Sequence, residues 1–167
     1  MERKRICFAG TLLVIALSVS AQSAFDKKLQ SLYRNSVLTI APTELQSLIK
    51  GNKKVLVLDT RKPEEYNVSH LPGAVLINYS TYTARELDQF DRKAKVVVYC
   101  TVGYRSERVG EKLLKLGFKD VRNLYGGIVE WKNEGFPTLN KNNKPTDSIH
   151  AYNKNWSRWV LKGIKVY

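Results

Sequence analysis

Apolar residues along this chain fall into two kinds of pattern. Two short runs are apolar without a break, 55–58 (VLVL) and 96–99 (VVVY), the length and composition of parallel strands covered on both faces. Around them apolar positions recur at helical spacing. Phe25, Leu29, Leu32 and Tyr33 do so in 22–36; Leu45, Leu48 and Ile49 follow an opening Pro42-Thr43-Glu44 and stop at Gly51. Val109, Leu113 and Leu116 share one face of 104–116, which Gly117 ends. Shorter strands are expected at 37–40, 74–77 and 121–124, and further helices at 63–66, at 83–90 and around Trp131. Strands alternating with helices predict an α/β domain with a mainly parallel central sheet and right-handed crossovers.

Both ends depart from this alternation. Residues 1–21 join a basic start, Glu2-Arg3-Lys4-Arg5, to an apolar stretch at 6–19 and to the small residues Ser20 and Ala21, the order of a cleavable export signal. The stretch is shorter than the about 20 apolar residues that span a membrane. The chain is therefore expected outside the cytoplasm, periplasmic or secreted, with 22–137 as its domain. Residues 138–148 (TLNKNNKPTDS) are polar and read as a linker. The tail 149–167 regains Tyr152, Trp156, Trp159, Val160 and Tyr167, too apolar to stay in water. It is expected to dock on the domain; a segment that binds a partner is the competing reading.

Composition changes the picture in two places. With 43% hydrophobic and 26% charged residues the chain is globular, neither disordered nor fibrous. The formal charge of +13 by itself would permit nucleic acid, but an exported chain does not meet it. Small anionic substrates or a weak contact with an anionic envelope surface fit better, beside the plain alternative of a solvated basic surface. Removal of 1–21 also takes away Cys7 and leaves Cys100 alone, so no internal disulfide can form and the thiol is either sequestered or reactive. His70, His150 and Cys100 show no metal-ligand spacing, and neither metal nor cofactor is expected.

Cys100 ends the second apolar run, in Tyr99-Cys100-Thr101-Val102-Gly103-Tyr104-Arg105-Ser106. The C-terminal edge of a parallel sheet is where α/β folds bind ligands. The link to the next helix is very short, and Gly103 can take a positive φ. Such a loop turns successive N–H groups inward as an anion nest, the helix adds its unpaired N–H groups and dipole, and Arg105 adds a fixed charge. All three favour thiolate over thiol, and would equally favour a persulfide anion on that sulfur. The bland reading is a small hydrophobe at a strand end.

The segments VVVYCTVGYRSERVGEKLLKLGFKDVRNLYGGIVEWKNEGFP (96–137) and VLDTRKPEEYNVSHLPGAVLIN (57–78) closely resemble the single-domain rhodanese homologues, over roughly 37–137. The resemblance implies a rhodanese-like fold of about five mainly parallel strands flanked by helices on both faces. It implies sulfane-sulfur transfer: a loop cysteine attacks a small anionic donor such as thiosulfate, holds the sulfur as a persulfide, and yields it to a thiol, cyanide or protein acceptor. Cys100 matches the nucleophile, and Thr101, Val102, Gly103, Tyr104 and Arg105 match the loop that wraps the persulfide. Asp59 and Arg61 match a D-x-R that buttresses the site. His70, in an H-x-P-G-A turn, and Gly126, Gly127 and Trp131 match structural positions.

Two other functions remain open at this level. One is a sulfur carrier or partner-binding module of the envelope without free turnover, using the aromatic tail. The other is a phosphatase or arsenate reductase, since the same fold hosts phosphatases with a loop one residue longer. Only four residues separate Cys100 from Arg105, which makes the expected pocket small for a phosphoryl group.

Overall fold

A computed structural model describes residues 24–167; the export signal expected at 1–21 lies outside the described residues. Helix α1 (24–30) belongs to the first of two compact units, which ends at Leu32, and the second unit runs Tyr33–Tyr167.

The second unit is built on five parallel strands: β1 (Thr39–Ile40), β2 (Val55–Asp59), β3 (Val75–Leu76), β4 (Lys95–Tyr99) and β5 (Asp120–Leu124), in the spatial order β1-β5-β4-β2-β3. The two unbroken apolar runs are its inner strands, paired from Val55 with Lys95 to Asp59 with Tyr99. In β4 the alternate residues Val96 and Val98 enter a core with Val109, Leu113 and Phe118, while Val97 and Tyr99 are equally buried on the opposite face. Both faces are covered, and for that reason the strand carries no polar alternation. Helices α2 (Pro42–Lys50), α3 (Pro63–Val68), α4 (Ala84–Asp88), α5 (Tyr104–Lys115) and α6 (Gly127–Asn133) flank the sheet.

The topology selects one crevice. From β2 the chain moves outward to β3 on one side, and from β4 it moves to β5 on the other. The boundary between β2 and β4 is therefore the switch point at which open α/β sheets bind ligands, beyond the strands' C-terminal ends. Asp59 and Tyr99 end those two strands side by side, and the segments after them carry Arg61, Glu65 and the Cys100 loop.

The segment read as a polar linker is ordered structure. Residues 138–148 contain β6 (Thr138–Leu139) paired antiparallel with β7 (Pro145–Thr146), and Leu139 exchanges backbone hydrogen bonds with His70. Its asparagines serve the turn: Asn140 Oδ1 accepts from the Asn142 and Lys144 N–H groups, and Asn143 takes φ 56°. Polar composition here reflects turn chemistry. The tail continues as β8 (Ser148–His150), α7 (Lys154–Ser157) and β9 (Ile164–Val166), with β8 and β9 parallel and Ile149, Ala151 and Val160 buried. Strand β8 packs against α3.

Candidate active site

Cys100 is 2% exposed and follows the last residue of β4. Its Sγ accepts a hydrogen bond from the Gly103 N–H at 3.2 Å. Gly103 is the residue before α5 and has φ 99°, a conformation that folds the loop back over the sulfur and that a side chain opposes. A Cβ there would also overlap the Tyr33 hydroxyl.

The four carbonyls of the loop are each tied to a donor outside it. The Ile128 N–H donates to Cys100 O at 3.0 Å and the Val129 N–H to Thr101 O at 3.2 Å. The Tyr33 hydroxyl donates to Val102 O at 2.7 Å, and Asn123 Nδ2 to Gly103 O at 3.0 Å. With the carbonyls fixed this way, the Gly103 N–H is the loop donor placed on Sγ. Among the described residues the N–H groups of Thr101, Val102, Tyr104 and Arg105 have no acceptor. Thr101 and Val102 are buried, where an N–H without an acceptor is costly, and an anion on Cys100 can supply one.

The donors have their own supports. Gly126 and Gly127, at φ 66° and 57°, turn the chain so that the first N–H groups of α6 meet the loop, and a Cβ on Gly127 would overlap the Cys100 carbonyl. The Tyr33 hydroxyl accepts from the Gly126 N–H at 3.1 Å, and burial pushes its ionisation far up, so it stays a donor. Asn123 Oδ1 accepts from Ser106 Oγ at 2.7 Å.

Arg105 is held by a carboxylate. Its Nη1 and Nη2 donate to Glu65 Oε2 and Oε1 at 2.7 Å each, and Nη2 also reaches Thr101 Oγ1 at 2.9 Å. Glu65, 1% exposed, further accepts from Thr101 Oγ1 at 3.1 Å and from the Lys62 N–H at 3.1 Å. Burial pushes the Glu65 carboxyl up, but the Arg105 bonds and charge overcome this and hold it below the usual carboxylate range. The sequence places Arg105 in the wrapping loop; here its forked donors organise Glu65 and Thr101.

Asp59 and Arg61 form a fully buried pair under the loop, with Arg61 Nε to Asp59 Oδ1 at 2.9 Å and Nη2 to Oδ2 at 2.6 Å. The Tyr99 hydroxyl donates to Asp59 Oδ2 at 2.6 Å and accepts from the Leu71 N–H, while Arg61 Nη2 bonds Ser69 O at 2.5 Å. The pair thus pins the residue before Cys100 to the 69–71 turn. His70 is 2% exposed, stacks on Tyr66 at 4.0 Å and places its ring nitrogens on Tyr66 O and Asn143 Oδ1, a structural role. Trp131 is buried, its indole N–H on Pro137 O.

Sequence reasoning missed Tyr33, Glu65, Asn123 and the tail's contribution. Asn123 left a signal, a polar residue inside a buried strand. Glu65 left none, because it looks like any first-turn carboxylate of a helix. The tail brings Tyr152, whose ring lies 5.1 Å from the Arg105 guanidinium carbon.

Five parallel strands with a cysteine loop at their switch point define a rhodanese-type domain. The chain belongs to that family: the model of the rhodanese-like domain matches residues 41–134. It is 34% identical over 102 residues to the probable adenylyltransferase/sulfurtransferase MoeZ of Mycobacterium tuberculosis, covering 60% of this chain but 26% of that protein's length. It is 32% identical over 127 residues to the uncharacterized protein slr1261 of Synechocystis, covering 76% of this chain and 70% of that one. Among solved structures, a rhodanese-related protein from Thermoplasma volcanium superposes with a TM-score of 0.54 at 31% identity, over 61% of this chain and 97% of its own.

Proposed function

We propose that this chain is a sulfurtransferase that carries sulfane sulfur on Cys100 outside the cytoplasm. The observation that carries the reading is the loop itself: the carbonyls of residues 100–103 are tied to donors outside it, the Gly103 N–H donates to Sγ, and the N–H groups of 101, 102, 104 and 105 have no acceptor among the described residues.

The chemistry runs in two displacements. The Cys100 thiolate attacks the outer sulfur of a donor such as thiosulfate; the donor's S–S bond breaks, and sulfite leaves with its electron pair. The new Cys100 persulfide carries its negative charge on the terminal sulfur, where preorganised N–H groups stabilise it without further reorganisation. An acceptor nucleophile, thiolate or cyanide, then attacks that terminal sulfur, and the electron pair of the breaking bond returns to Cys100 as thiolate. Each bond made replaces one broken, with no net oxidation and no proton relay through a histidine.

The test is intact-mass measurement after thiosulfate, polysulfide or glutathione persulfide. Expected is a gain of one sulfur atom on Cys100, removed by cyanide and absent in Cys100→Ser. Failure of every donor to load Cys100 would sink the reading. The export location rests on the signal pattern in 1–21, and is checked by fractionating cells that express the full chain.

A further inference from the structure

The tail residue that stacks on Arg105 is held in a strained conformation. Tyr152 has φ 69°, which L-residues other than Gly, Asn and Asp seldom take. The Asn153 N–H donates to Ala151 O at 2.8 Å, so Tyr152 is the middle of a three-residue γ-turn of the rare, positive-φ kind. Both flanks enforce it. The Ala151 N–H bonds Val166 O, the Tyr152 N–H bonds His150 Nδ1 at 3.1 Å, and Asn153 Oδ1 caps α7 by accepting from the Trp156 N–H. Strain kept in place by several independent contacts is a feature of functional sites.

What the strain achieves is a position. The turn sets the Tyr152 ring over Arg105, whose Nη2 bonds Thr101, the residue next to the nucleophile. Cys100, Thr101, Val102 and Gly103 are buried. Beside this buried loop, Tyr104 and Tyr152 are exposed, at 44% and 48%. Tyr104 is engaged on one face by Arg108, 4.7 Å from its ring centre. The Tyr152 hydroxyl makes no hydrogen bond among the described residues, and the residue is half-exposed. An incoming molecule therefore meets an exposed aromatic ring beside the sulfur loop.

We propose that Tyr152 is a specificity-determining residue for the second half-reaction: its ring seats the carbon body of an organic thiol acceptor while the thiolate reaches the Cys100 persulfide. This rests on the sulfurtransferase reading above. The thiol gives its proton to solvent, its thiolate attacks the terminal sulfur, the bond to Cys100 breaks, and the thiol leaves as a persulfide while Cys100 regains the electron pair. Cyanide, a two-atom anion, has no body to seat. The ring therefore raises the ratio of organic thiol to cyanide as acceptor.

The experiment loads the full chain with thiosulfate, verifies the added sulfur on Cys100 by mass, and measures kcat/KM for glutathione and for cyanide. In Tyr152→Gly, which relieves the positive φ while removing the ring, the glutathione-to-cyanide ratio is expected to fall roughly three- to tenfold, mainly through KM for glutathione. Tyr152→Phe, which keeps the ring, is expected to retain the ratio. A ratio unchanged in Tyr152→Gly, or lost equally in Tyr152→Phe, overturns the inference while leaving sulfur transfer intact. No loading of the wild-type chain by any sulfane donor overturns the underlying reading, and the inference with it.

Discussion

Arg105 and Glu65 meet fork to fork, each guanidinium nitrogen on its own carboxylate oxygen at 2.7 Å. They come from α5 and α3, the helices that follow the two inner strands on either side of the switch point. The pair fixes Thr101 between its members. Removing one member of such a buried pair strands the other. Glu65→Ala is expected to destabilise the domain by about 3–5 kcal/mol in urea unfolding, and Glu65→Gln by less, because it keeps an acceptor for Arg105. Arg105→Lys is expected to lose sulfur loading more than stability, since a single ammonium cannot fork.

The Tyr33 hydroxyl joins two buried backbone groups, Val102 O and the Gly126 N–H. Tyr33→Phe leaves both unpaired at nearly constant shape. Expected is a loss of about 1–3 kcal/mol in chemical denaturation, together with slower loading of Cys100 because the Val102 carbonyl is released. Thiosulfate loading that stays at the wild-type rate would show that the loop holds its shape without this tie.

Gly127 faces backbone, with no flexible side chain that could yield. A Cβ there overlaps the Cys100 carbonyl, at φ 57°. Gly127→Ala is expected to displace the loop and cut sulfur transfer at least tenfold, about 1.4 kcal/mol of barrier. The same substitution at Gly73, which has a positive φ but open space around it, is expected to cost stability and spare transfer. Parallel melting and loading assays on the two variants separate strain from site geometry.

Acid should weaken the tail before the core. Burial holds the His150 imidazole below the ordinary histidine value, and among the charges facing it Glu65 and Glu64 of α3 oppose this while Arg61 and Arg105 reinforce it. A histidine depressed in the folded state takes up protons more readily when unfolded. Its contribution is complete above about pH 6.5 and declines as pH falls through that value. Protonation at Nδ1 also removes the acceptor of the Tyr152 N–H. Glu65, also depressed, contributes stability that is present above the ordinary carboxylate range and is lost at lower pH. Melting from pH 8 to 5 is expected to show a decline that His150→Asn, whose Oδ1 keeps the acceptor without titrating, reduces. An equal decline in both proteins would contradict this assignment.

Much of the candidate site could be read from the chain because its parts are local. Cys100, Gly103 and Arg105 sit within one strand-to-helix junction, where strand end, positive φ and helix N-terminus follow from a few adjacent residues. Asp59 and Arg61 were legible for the same reason, as neighbours at another strand end. Tyr33, Glu65 and Asn123 were not, since each acts across a long sequence separation on a backbone atom or a side chain that no local pattern names. Residues 138–148 misled for a related reason: asparagine and proline mark a turn as readily as a linker, and the pairing of Leu139 with His70 is decided elsewhere in the chain.

Unbroken apolar runs by themselves determined a parallel sheet covered on both faces, and the spacing of Cys100, Gly103 and Arg105 determined a short strand-to-helix loop at its edge. Tertiary structure alone decided what the loop became. It tied four carbonyls outward, turned Arg105 onto Glu65, and brought Tyr152 from the tail to the mouth. The physical reason is range: periodicity and φ preference act over a few residues, whereas satisfying a buried carbonyl or covering a guanidinium needs whichever distant group the packed fold delivers.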